Sequence, residues 1–123
     1  MTPFGEKIRK LRAERGLTLM DMARAIGVSS AYLSALEHGK RGRPGWHLIQ
    51  RIMAYFNIIW DEAEDLARLA RISHPKITID TSGLTPAATE LANRLADDIG
   101  KMDEHTLAEM IALLDAKKRR VKG

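Results

Sequence analysis

Apolar positions recur at helical spacing from the start of the chain. Phe4, Ile8 and Leu11 share one side of a helix, while Lys7, Arg9, Lys10 and Arg15 fall elsewhere around it. The pattern therefore predicts a first helix over 3–14 that packs inward and shows charge outward. Met22, Ala23 and Ile26 set a second helix over 19–26, and Leu33 and Leu36 a third over 29–37. Trp46, Leu48, Ile49, Ile52, Met53 and Phe56 make a fourth, 45–56, apolar enough to form the middle of the core. Pro44 and Gly45 break the chain before it, and Asn57 is placed to end it. Trp60, Ala63, Leu66, Ala67 and Ala70 complete a bundle with a fifth helix over 60–71. The aromatic residues Trp46, Tyr55, Phe56 and Trp60 read as core or subunit contacts in preference to base-stacking platforms, because aromatics most often sit inside.

After Arg71 the pattern changes. Lys76 to Asp80 alternates with period two, which leaves two readings open: a strand pairing with its copy across a dimer axis, or an extended linker. Thr85 then reads as an N-cap with Pro86 as first helical residue, and Leu91, Leu95 and Ile99 form a stripe that stops at Gly100. A last helix starts at Asp103 and carries Leu107, Met110, Ile111 and Leu114, with its basic end at Lys117 to Arg120 where the helix dipole favours cations. Two such helices bury little by themselves, so the hairpin needs the bundle or another chain, and homodimerisation is the preferred use. The expected fold is all-α. A five-helix domain covers 1–72, a linker or short strand 73–83, an αα-hairpin for dimerisation or partner binding 84–118, and a basic tail 119–123.

Residues 18–37 carry the most information. Thr18 with Asp21 is a capping-box-like helix start, and Gly27 is free to take the positive φ that ends one helix and turns the chain at once. Val28 plugs the corner, Ser29 caps the next helix, and Ala23 is small enough to let the two axes approach. This is the spacing of a helix-turn-helix. Its outer face holds Ser30, Ala31, Ser34, Ala35 and His38 at intervals of three and four, free to meet a groove, so DNA is the first partner to consider.

Gly16-Leu17-Thr18, Ala23, Gly27-Val28-Ser29, Leu33-Ser34, Glu37, Gly39-Lys40 and Pro44 stand in an order and spacing that resemble the Cro and lambda-repressor class of helix-turn-helix proteins, the xenobiotic-response-element family. The resemblance covers about the first 70 residues and implies a lambda-repressor-like bundle whose third helix enters the major groove. Mapped onto this chain it makes Ser30, Ala31, Tyr32 and Ala35 base-facing, with Ser29 at the helix start and Ser34 near the backbone. It also puts Lys40, Arg41 and Arg43 in a phosphate-gripping loop and joins Arg12 to Glu37 as a structural ion pair, which fixes register more than it adds stability. Two positions depart from the family pattern. Leu19 stands where a phosphate-touching Gln is frequent, and the third helix lacks the Gln, Asn or Arg forks of bidentate base contacts. Reading is then left to thymine methyls, hydroxyls, water or DNA shape.

Charge sharpens this picture. Residues 1–56 carry ten Lys or Arg against four Asp or Glu, a local charge of +6, whereas residues 57–116 carry −7 and the segment from Lys117 to Lys122 adds +5. A cationic first half draws phosphates whichever sequence is bound. The final run, KKRRVK, reads as a solvated end in preference to a second phosphate contact. With no cysteine, disulfide and thiolate chemistry are excluded. No long apolar run occurs and no charged-then-apolar leader precedes Phe4, which sets the expectation of a soluble cytoplasmic protein with no membrane partner.

Catalysis finds no footing. His38, His47, His74 and His105 lie far apart with no metal-ligand spacing, and His105 with Glu109 is a pairing common on solvated helices. No nucleophile elbow or glycine-rich phosphate loop is present, so neither an enzyme, nor a metal, nor a cofactor is expected. The sequence reads as a regulator that binds double-stranded DNA as a homodimer, most simply a repressor on an inverted-repeat operator. Two alternatives stay beside it: an antitoxin-like regulator whose hairpin binds a second protein, and a protein-interaction adaptor without specific DNA binding.

Overall fold

The computed structural model describes residues 1–40 and 42–122, with side chains through Lys118; Arg41 and the side chains of the basic tail lie outside the described residues. Seven α-helices and one 3-10 turn occur among the described residues, with no strand. The chain divides into two compact units, Met1–Ile77 and Thr78–Gly123.

The first unit holds α1 (Pro3–Glu14), α2 (Leu19–Ile26), α3 (Ser30–Glu37), α4 (Trp46–Phe56) and α5 (Trp60–Arg71). Each start is set by local chemistry. Thr2 Oγ1 accepts from the Gly5 N–H at 3.0 Å, with Pro3 opening the first turn. At α2 the capping box is complete: Thr18 Oγ1 accepts from the Asp21 N–H at 3.0 Å while Asp21 Oδ2 accepts from the Thr18 N–H at 3.1 Å. That backbone donor, followed by the Thr18 hydroxyl, holds the Asp21 carboxyl below its ordinary value. The ends are equally local. Gly27 (φ 76°) stops α2 and Asn57 (φ 55°) stops α4, the latter with the Ile58 N–H bonded to the Met53 carbonyl at 2.8 Å.

Phe4, Ile8, Met22, Ile26, Leu33, Ile52 and Leu66 are fully buried and come from all five helices. Burying a Leu or Ile of this kind stabilises by about 2 kcal/mol, and packing the five elements around one core is what fixes α3 on the surface. Of the four aromatics expected as core or subunit contacts, one lies in the core of this chain. Phe56 is buried, but Trp46 is 57% exposed, Tyr55 37% and Trp60 81%. The buried face of α4 runs through Leu48, Ile49, Ile52 and Phe56, and Trp46 sits about 200° around the helix from Leu48. Trp60 has a left-handed backbone (φ 56°), which takes it out of register with the buried face of α5.

The second unit is a helical hairpin, α6 (Pro86–Asp98) and α7 (Glu104–Lys122), joined through the 3-10 turn Ile99–Lys101. Thr85 caps α6, and Asp103 caps α7 by accepting the Thr106 N–H at 2.8 Å, so that α7 begins one residue after the expected start. Residues 76–80 form no strand ladder among the described residues; Asp80 Oδ1 instead accepts the Ser82 N–H at 2.9 Å in a turn. No residue of α6 is buried. Among the described residues no helix is long and apolar enough to cross a membrane.

Candidate nucleic-acid interface

The third helix is held at its C-terminal end by α1. Arg12 grips Glu37 with two bonds, Nη2 to Oε1 at 3.1 Å and Nε to Oε2 at 3.2 Å, and the Glu37 side chain is only 4% exposed. One residue of chain before α1, the Thr2 N–H donates to the Glu37 carbonyl at 3.2 Å. Gly5 makes this approach possible, because a Cβ there would stand 2.2 Å from the Glu37 carbonyl oxygen. Behind the same turn the Phe4 N–H donates to Ser73 Oγ at 2.8 Å, and Ser73 Oγ donates to the Leu69 carbonyl. The first turn of α1 is thus fixed between the ends of α3 and α5.

On the outer side of α3, Ala31 and His38 are exposed, while Ser30, Ser34 and Ala35 are half-buried. Ser29 is the N-cap: its Oγ accepts from the Tyr32 N–H at 3.0 Å, which leaves the hydroxyl hydrogen available to an outside acceptor. Tyr32 is half-buried and packs against the core, so only part of its ring faces out. His38 is the C-cap, and the chain leaves through Gly39 (φ 75°) with the Lys40 N–H bonded to the Ala35 carbonyl at 2.8 Å. Lys40 and Arg43 are exposed beyond it; Arg41, between them, lies outside the described residues.

Residues 3–58, covering α1 to the end of α4, match the family described as "Helix-turn-helix domain". Over these residues the chain is similar to helix-turn-helix domains. The segment is 39% identical over 61 residues to the HTH-type transcriptional regulator RghRB of Bacillus subtilis, covering 50% of this chain and 44% of that protein. It is 41% identical over 61 residues to the HTH-type transcriptional repressor RghR of the same organism, covering 50% of this chain and 45% of that one. A third relative, the HTH-type transcriptional regulator DdrOP3 of Deinococcus deserti, is 43% identical over 53 residues, 43% of this chain and 40% of its own. The matches therefore span less than half the length of these relatives. A solved structure, the SinR protein/SinI protein complex, aligns over 98% of this chain and 99% of its own at 22% identity with a TM-score of 0.45.

Among the described basic residues of the first 56, Arg12, Arg15 and Arg51 hydrogen-bond to the protein itself, although Arg15 and Arg51 remain exposed. Arg12 holds Glu37. Arg15, expected to point outward, instead donates from Nη2 to the Phe56 carbonyl at 2.8 Å and lies over the Phe56 ring, 4.9 Å from its centroid. Arg51 donates from Nη1 to the Ile26 carbonyl at 3.0 Å. These two arginines, with Thr2, Gly5 and Ser73, are the residues that sequence reasoning missed. Their partners lie tens of residues away, where no local spacing signals them. Among the described residues no group of three or more His, Cys, Asp or Glu is arranged to hold a metal, and His105 meets Glu109 at 3.0 Å on an exposed face.

Proposed function

We propose that the protein is a sequence-specific DNA-binding transcriptional regulator, a repressor that binds an inverted-repeat operator as a homodimer. The observation that carries this reading is the outer face of α3, a row of short side chains held from behind by α1 and continued by the exposed cations Lys40 and Arg43. In the major groove the methyls of Ala31 and Ala35 suit thymine methyls, and the hydroxyls of Ser29 and Ser30 suit phosphates or base edges. Lys40, Arg41 and Arg43 anchor the backbone, each contributing to the fall of affinity with salt. The names of the relatives, regulators and one repressor, support the same role.

Dimerisation falls to the hairpin. Leu91, Ile111, Leu113 and Leu114 are all more than half exposed, an apolar load that a second copy would cover. Two copies so joined would present two α3 helices to half-sites about 34 Å apart. A second reading assigns the hairpin to a different protein. It is favoured by a groove of about 400 Å³ lined by Leu91, Leu95, Met102 and Met110, with Asp98 and the Glu90–Arg94 ion pair on its walls, which suits an apolar segment.

Selection of duplexes from a random pool at physiological salt, followed by titration of the winner against scrambled DNA, tests the proposal. An enriched inverted repeat is expected. Absence of enrichment, with binding that vanishes as salt rises, would overturn it and leave the hairpin as the site of function.

A further inference from the structure

Arg51 stands on α4, and its charge alone would assign it to a phosphate. Its geometry points elsewhere. Nη1 donates to the carbonyl of Ile26, the last residue of α2, at 3.0 Å, and a Cβ on Gly27 would lie 3.2 Å from the same nitrogen. The guanidinium therefore covers the corner between α2 and α3. The carbonyls that end a helix have no intrahelical partner and carry the negative end of its dipole, so a cation donating there is a charge-assisted bond at the hinge of the motif. The opposite end of α3 is fixed by Arg12 on Glu37 and by the Thr2 N–H on the Glu37 carbonyl. With Arg51 on the Ile26 carbonyl, the corner that leads into α3 is tied to α4, as the far end of α3 is tied to α1.

The side chains on the outer face make this placement consequential. A long Arg or Gln adjusts its torsions to keep a base contact when a helix tilts, whereas Ser30, Ala31 and Ala35 have almost no reach of their own. Discrimination by such residues depends on where the backbone of α3 sits. We propose that Arg51 is a positioning residue that fixes the pitch of α3 in the groove, and so sets operator discrimination without touching DNA. The inference rests on the DNA-binding reading and deepens it.

The test uses the full chain as wild type, Arg51→Met and Arg51→Lys. Each is titrated at several salt concentrations with the duplex selected from the random pool and with a scrambled duplex, with thermal melts in parallel. Arg51→Met is expected to lose about tenfold or more in discrimination between the duplexes, while scrambled-DNA affinity and the salt slope stay as in wild type. Arg51→Lys, which keeps a donor for the Ile26 carbonyl, is expected to recover most of the discrimination. Equal loss on both duplexes with a salt slope flatter by about 0.9 would show a phosphate contact and overturn the proposal, as would discrimination unchanged in Arg51→Met. Should Arg51→Met fail to fold, nuclear magnetic resonance of the wild-type guanidinium decides. Rotation already restricted without DNA and unaltered by the selected duplex is expected; free rotation that becomes restricted only on DNA would overturn the assignment. Wild type that binds both duplexes alike overturns the DNA-binding reading itself and this assignment with it, before any variant is compared.

Discussion

A glycine and a threonine near the start of the chain decide how closely α1 and α3 meet. Because a Cβ at Gly5 would stand 2.2 Å from the Glu37 carbonyl oxygen, backbone against backbone, Gly5→Ala has to push the two helices apart. That overpacking costs about 3 kcal/mol, and a thermal melt of the variant is expected to show a midpoint lowered by more than about 10 °C. An unchanged midpoint would mean that the contact is looser than described. Nothing in the sequence around Gly5 announces this role, since the atom it must avoid is 32 residues away. Thr18, Asp21, Gly27 and Asn57 are different. Each acts on its own turn of backbone, through a cap or a left-handed φ, and each was legible from the residue type and its neighbours. Arg15 and Arg51 were not, because charge at a single position does not say whether the partner is a helix end inside the fold or a phosphate outside it.

At the scale of elements, the periodicity located every helix of the first unit within one residue of its observed start. The third began at Ser30 and the fourth at Trp46, each one residue after the expected start, because the preceding Ser29 and Gly45 serve as caps. What periodicity failed to give was the fate of Trp46 and Trp60. An apolar residue at the first position of a helix satisfies a hydrophobic count without sharing the buried face, and Trp60, at the first position of α5, has a left-handed φ besides. The Arg12–Glu37 pair shows how an element is oriented as distinct from stabilised. Its carboxylate is nearly sealed from water, so the two bonds roughly offset the desolvation, and what they secure is the direction of α3. The outer face of α3 was legible as a face because the core residues Leu33 and Leu36 define its opposite. The half-burial of Tyr32 was not, since it depends on how the neighbouring helices close over the ring.

The whole molecule divides its chemistry between two units. The basic first half carries the helix-turn-helix and the acidic stretch carries the hairpin, whose Leu91, Leu113 and Leu114 lie exposed. Leu91 is 56% exposed and Leu114 65%, so replacing both with Asp removes little packing within the chain itself. The double variant is expected to sediment as a monomer, with the melt of the first unit unchanged and affinity for a two-half-site duplex reduced about 100-fold or more, as loss of bivalent binding requires. A wild-type protein that sediments as a monomer would remove the hairpin dimer from the mechanism. The most direct measurement concerns Ala31, exposed in the first turn of α3 and outside the buried core. Wild type and Ala31→Glu are titrated with the duplex selected from a random pool and with a scrambled one. Preference for the selected duplex should fall at least about tenfold in the variant, which sets a carboxylate against the groove, while its melt stays as in wild type. Undiminished preference in Ala31→Glu would mean that α3 does not read the DNA.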